Sequence, residues 1–419
     1  MSLNRRNALK LSLSALGAGA GLAALPRRSA KAAEPIRIGL LCVKTGPLAA
    51  GGIQMEQGLT IFLDQQKQTL AGRPVELFVE DTQGVPATTL AKAQELTERD
   101  KVNVIIGPLA AFELYAIIGY TTKQQMPLVA IAAADNISQR TPSPWFIRPA
   151  CTSSQTTQPF GQYAAKTLGY KKMATLADDF AFGYEQCSGF MRVFQDNGGE
   201  IIQRLWPPLN APDYGTYIAE IRPDADAVFI GFAGANGFRF TQQYFQYGLG
   251  GRKPLIGGIT AFDDAILPQL GKIAEGLLSC CYYTPALKYP SNVAFVAEMR
   301  RRYHRDPGLL GAGPYICGEV IKAALEKIDG NIENRELFMH AMRSEQIAAS
   351  ACGPLRFDEF GQAVENAYIR KVERVDGWLV NVPIYTFHDV SQFWTYNQAA
   401  FLKEPVYSKN WPPGRYIEK

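Results

Sequence analysis

Short apolar runs recur along this chain, each followed by a stretch with helical spacing, and that alternation constrains the fold more than any other feature. Residues 36–43 read as one continuous apolar strand, and Gly46-Pro47 turn it into a helix with Met55, Leu59, Phe62 and Leu63 on one face. Strands at 75–79, 104–106 and 128–132 follow, with helices between them and a loop at Asp135-Asn136. Strands that are apolar on both faces and joined through helices make a parallel sheet covered on both sides. After 146–149 the pattern restarts, with strands at 173–177, 201–205, 227–231 and 255–257 alternating with helices. Two long helices, 291–303 and 314–328, come next, the second ending at Asp329-Gly330. Strands at 353–357, 368–375 and 378–385 close the pattern, the last two joined by an Asp376-Gly377 hairpin turn. The expected class is α/β with two lobes of similar size, late elements returning to the earlier lobe.

The first 33 residues do not belong to that pattern. They hold Arg5, Arg6, Lys10, Arg27, Arg28 and Lys31 with no acid, around an apolar run at 11–25 and a small-residue site at Ala30-Lys31-Ala32. This is the grammar of a cleaved export signal, and the apolar run is shorter than the ~20 residues a spanning helix needs. It resembles a twin-arginine signal through Arg5-Arg6 and Leu9-Lys10, with Ala8 where Phe is usual; a general export signal is the alternative. No long apolar run follows, so the mature chain is expected in the periplasm without membrane insertion. Setting aside the six basic residues of the signal leaves 37 basic against 39 acidic groups. That balance argues against a nucleic-acid partner. Seven cysteines with no CxxC are read as buried thiols, with room for one disulfide.

No catalytic or metal-binding constellation is visible. His304, His340 and His388 lack a partner at ligand spacing, and no phosphate loop or nucleophile elbow occurs. Asp178-Asp179 sits at a strand end, where anchoring a loop is the expected role rather than acid/base work. Neither a metal nor a cofactor is expected, and the chain is not expected to be an enzyme.

Several short motifs carry a family resemblance: Ile38-Gly39-Leu40 with Thr45-Gly46-Pro47, Glu80-Asp81-Thr82, and Val104-Ile105-Ile106-Gly107-Pro108. Ala174-Thr175-Leu176-Ala177-Asp178-Asp179 with Phe182-Gly183, and Gly353-Pro354-Leu355-Arg356-Phe357-Asp358, complete the set. In this order, from residue 36 to about 384, the chain resembles the leucine/isoleucine/valine-binding-protein family, the type I periplasmic solute-binding proteins of ABC importers. The resemblance implies two lobes, each a mainly parallel sheet with helices on both faces, and three hinge crossings near 149–154, 279–285 and 360–366. It places residues 34–150 plus 283–362 in the N-terminal lobe, 151–282 plus 363–389 in the C-terminal lobe, and 390–419 in an extension. It also implies a small-molecule ligand closed between the lobes and an ABC permease as partner.

By the same resemblance the ligand's carboxylate is held by backbone donors in two loops, represented here by Ala110, Ala111 and Phe112 and by Ala133, Ala134 and Asp135. Phe182 covers the ligand from the other lobe, with Phe232 and Thr260 beside it. The chain departs from amino-acid binders where it has Ala110-Ala111-Phe112 for a serine loop and Asp135 for a threonine. It departs again with Gly51 for an aromatic and Ile259-Thr260 for the acid that holds an ammonium group; Asp263 and Asp264 are the nearest substitutes. An aromatic carboxylate, packed by Phe112, Tyr115, Phe180, Phe182 and Phe232, is therefore expected over a zwitterionic amino acid, which stands as the alternative, with a periplasmic ligand-sensing module as the second.

Overall fold

The computed structural model describes residues 34–415, so the expected export signal lies outside the described residues. Strands are numbered along the chain. The first sheet runs β2 (Thr69–Leu70), β3 (Arg73–Asp81), β1 (Ile36–Cys42), β4 (Val104–Ile106), β5 (Leu128–Val129), β6 (Phe146–Ile147). All of its pairings are parallel except the β2–β3 hairpin. Successive residues of its strands enter different cores, as strand geometry requires. Val104 and Ile106 pack with Met55 and Leu59 of the helix Ala49–Gln65 and with Ile316 and Val320 of the helix Leu309–Lys327. Ile105 faces Leu114 and Ile117 of the helix Ala111–Lys123.

The second sheet has β7 (Lys172–Ala177), β8 (Glu200–Leu205), β9 (Ala227–Gly231), β10 (Leu255–Gly257) and β11 (Leu278–Cys281) in parallel. Four antiparallel strands extend it: β12 (Gln346–Ser350), β13 (Gly353–Phe357), β14 (Ala363–Val375) and β15 (Trp378–Val390). The expected Asp376-Gly377 turn joins β14 to β15, both residues having positive φ. β12 and β13 straddle the two halves. Their backbone ladder belongs to the second sheet through β14, yet Leu355 and the connecting Ala351 and Cys352 bury their side chains in the first core. Adjacent Cys280 and Cys281 point into different cores, and all seven cysteines are buried free thiols.

The chain passes from the first sheet to the second after β6, returns after β11, and crosses again between β13 and β14. Arg148 and Gln362 meet as a parallel bridge where two of these passages run side by side. Residues beyond β15 fasten both halves. The Gln392 amide accepts from the Ser138 hydroxyl at 2.8 Å and donates to Asp358 at 2.7 Å. Glu404 pairs with Arg192 of the helix Ala181–Asp196 at 2.6 Å, and that guanidinium lies 3.9 Å from the Tyr396 ring centre. No helix among the described residues is long and apolar enough to cross a membrane.

Candidate functional site

Parallel strands of both sheets end at a common cleft, the place where open α/β sheets collect ligands. Its empty volume is about 700 Å³, open mouth included. The first-sheet side supplies Leu48, Gly51, Leu109, Ala110, Ala111, Ile131 and Ala133, with Leu309 and Leu310 from the start of a long helix. The second-sheet side supplies Phe180, Phe182, Ala233, Gly234, Ile259 and Thr260, and the passages between sheets add Ala150, Cys151 and Tyr282. None of these side chains carries a charge. The polar atoms among them are the Thr260 hydroxyl, which donates to the Phe232 carbonyl, the Tyr282 hydroxyl, which donates to the Leu309 carbonyl at 3.4 Å, and the Cys151 thiol.

Anion-holding capacity comes from the backbone. The helix Ala111–Lys123 begins at the cleft, and the Glu113 carboxylate reaches back to accept the Ala110 N–H at 2.8 Å. Glu113 is itself held by the Thr82 and Thr89 hydroxyls, and burial raises its carboxyl above the usual range. The next N–H groups, of Ala111 and Phe112, have no acceptor within the helix, and they sit at the positive end of its dipole. A carboxylate suits that position.

Five of the nine residues expected in the site line the cleft: Ala110, Ala111, Ala133, Phe182 and Thr260. Phe112 stands at its edge, its ring 6.1 Å from Phe180, which stacks on Phe182 at 6.0 Å. The other three lie behind it. Phe232 is fully buried in the second core against Tyr214 and Phe240. Ala134 is buried, its carbonyl accepting from Arg148 at 2.8 Å. Asp135 accepts the Ser154 N–H at 3.0 Å and stands near Arg148 and Glu185, burial raising its carboxyl. Tyr115 is 39% exposed and does not line the cleft.

The acids near Thr260 are also committed elsewhere. Asp264 holds the Asn381 N–H and faces Arg370 at 3.8 Å, and burial pushes its carboxyl up to about 7. Asp263 accepts the Leu309 N–H at 2.8 Å. Asp178 anchors a cleft loop, as expected: it accepts the Ala233 N–H and the Asn236 amide, both at 2.7 Å. Leu309 and Leu310, far away in sequence, escaped expectation, although Pro307-Gly308 marks a helix start just before them. A Cβ on Gly51 would lie 2.4 Å from Leu310 Cδ1, so a leucine fills the space that the missing aromatic would occupy.

Comparison with known proteins agrees with this geometry. Residues 35–377 match the periplasmic binding protein family. A Leu/Ile/Val-binding protein homolog 6 of Brucella abortus is 28% identical over 369 residues, covering 86% of this chain and 93% of the relative. An ABC transporter substrate-binding protein from Sphaerobacter thermophilus is similar with 33% identity and a TM-score of 0.81, over 86% of this chain and 99% of that one. A solute-binding protein of an ABC transporter from Rhodopseudomonas palustris BisB5, solved with 3,4-dihydroxy benzoic acid, has 31% identity and a TM-score of 0.81, over 85% and 98%.

Proposed function

Since the chain belongs to the periplasmic binding protein family, as the non-enzymatic solute-binding component of an ABC transporter, we propose that it captures a small aromatic carboxylate between its two halves and delivers it to the membrane permease. One observation carries this reading: an apolar, partly aromatic cleft without a charged side chain opens onto the free N–H groups of a helix start. A carboxylate needs only those N–H groups. An α-ammonium group would be buried without a partner there, a cost of several kcal/mol. The R. palustris protein with 3,4-dihydroxy benzoic acid supports the same ligand class. The cleft is lined from both sheets, so cargo favours the shut state, and hinge motion about the three passages follows.

A thermal-shift and calorimetry panel tests the proposal. Benzoate, 4-hydroxybenzoate or cinnamate should raise the melting midpoint, and leucine and valine should not. Stabilisation by leucine with none from any aromatic acid would overturn it and favour the amino-acid reading that the Brucella relative's name represents.

A further inference from the structure

Asp263 lies beyond β10, on the second-sheet side, and is mounted rigidly. The next residue, Asp264, accepts the Asn381 N–H at 2.9 Å and the Asn381 side-chain amide at 3.0 Å. The Asp263 carboxylate nonetheless reaches the other half. Its Oδ2 accepts the Leu309 N–H at 2.8 Å, the first residue of the helix Leu309–Lys327, while Oδ1 accepts Ala265 N–H at 3.1 Å. That helix packs on Ala49–Gln65 over the first sheet, and the Gly308 N–H before it is held by Gln54 of the same half at 3.2 Å. A carboxylate on one half therefore caps a helix on the other, satisfying an orphan N–H at the positive end of its dipole.

Gly308 makes the approach possible. A Cβ there would lie 1.8 Å from Asp263 Oδ1, and its three nearest neighbours would all be atoms of that carboxylate. The glycine's backbone, at φ −82° and ψ 179°, is one any residue adopts, so the requirement comes from Asp263 alone. The helix start that Asp263 grips carries Leu309 and Leu310 into the cleft.

We infer that Asp263 is a cross-cleft latch: a positioning residue that stabilises the shut state by capping the opposite half's helix and setting Leu309 and Leu310 against the cargo. This rests on the reading of the two halves as closing lobes. It makes Gly308 a partner residue whose side chain must be absent.

Full-length Asp263→Ala, Asp263→Asn, Gly308→Ala and the Asp263→Ala/Gly308→Ala double variant test it. The readouts are amide exchange at Leu309, the small-angle scattering radius, and affinity for 4-hydroxybenzoate. Loss of a charge-assisted hydrogen bond should speed Leu309 exchange and weaken binding about tenfold or more in Asp263→Ala, with a larger radius. Asp263→Asn, which keeps an acceptor, should fall between it and the wild type. Gly308→Ala should resemble Asp263→Ala, and the double variant should be no worse than Asp263→Ala, because the colliding carboxylate is gone. Losses that multiply in the double variant, or wild-type exchange at Leu309 in Asp263→Ala, would overturn the latch. If the wild type takes up no aromatic acid, the ligand reading falls, and exchange and radius of the ligand-free proteins still decide the latch.

Discussion

Arg148 offers the sharpest test of how the cleft is supported. Its guanidinium is wholly buried and donates four hydrogen bonds: to Gln362 Oε1 at 2.6 Å, to the Ala132 and Ala134 carbonyls at 2.8 Å each, and to the Ser138 hydroxyl at 2.6 Å. Those carbonyls flank Ala133, which lines the cleft, and Gln362 belongs to a neighbouring passage between sheets, so one side chain fixes both loop and crossing. Arg148→Lys keeps the charge and replaces a planar fork by a single ammonium. A lysine that reaches two of the four acceptors orphans the other two, at about 1–3 kcal/mol each. The loss is then ~4 kcal/mol, which for a body of about 380 residues lowers the melting midpoint by about 5 °C. Arg148→Ala orphans all four acceptors and leaves Asp135 and Glu185 without their buried cation, so it should fall well below Arg148→Lys. Calorimetry measures both, and ligand affinity should drop with them as the Ala133 loop loosens. A lysine variant within 1 °C of the wild type, or an alanine variant no worse than the lysine, would refute this reasoning.

Phe182→Ala removes an aromatic wall of the cleft and should weaken aromatic-acid binding about tenfold or more, by titration calorimetry, with little change in ligand-free stability. Burial pushes the carboxyls of Asp178, Asp264 and Glu319 up to about 7 and that of Glu365 to about 8. The folded state therefore holds these protons more tightly than the unfolded chain. Their contribution is full near pH 4 and is lost as pH rises through 7 to 8, so melting midpoints should fall from pH 5 to pH 8.5; a flat profile counts against it. Truncation after Val390 removes the Gln392 and Glu404 ties and should lower the midpoint and enlarge the scattering radius. Replacing Arg5 and Arg6 by Lys should abolish periplasmic accumulation; unchanged export would leave the general route.

The parallel strands were legible because continuous apolar runs flanked by Gly, Pro and Asp leave few alternatives, and Ala111–Lys123 emerged with its start at the expected loop. Side-chain direction at strand ends was not legible. Phe182 and Phe232 each follow a strand of the second sheet, yet Phe182 reaches the cleft while Phe232 turns inward onto Tyr214, contributed by a segment before β9. Asp135 looked like a ligand contact because the Ser154 N–H it serves and the buried Arg148 beside it come from later segments. Tyr282, Leu309 and Leu310 join the cleft only through tertiary return of the chain, which no local pattern encodes.

Two kinds of tie join the halves, and they respond differently to opening. Arg148, Gln362 and Gln155 link the passages themselves: Gln362 Nε2 donates to the Ala150 carbonyl at 2.6 Å and to Gln155 Oε1 at 3.0 Å. The proposed rotation about the passages would preserve those bonds. The Asp263–Leu309 bond and the Phe112–Phe180 contact lie across the cleft and would break in the proposed opening. Whatever cargo gains from Phe182 on one wall and Leu309 and Leu310 on the other exists only when the cleft is shut, so that contact adds to the cross-cleft ties rather than replacing them. Apparent affinity is the intrinsic affinity scaled by the shut fraction. These ties form in the empty shut state as well, so they raise the shut fraction and with it the apparent affinity of a cleft that grips mainly by apolar contact, while the difference between occupied and empty forms comes from the cargo's own contacts.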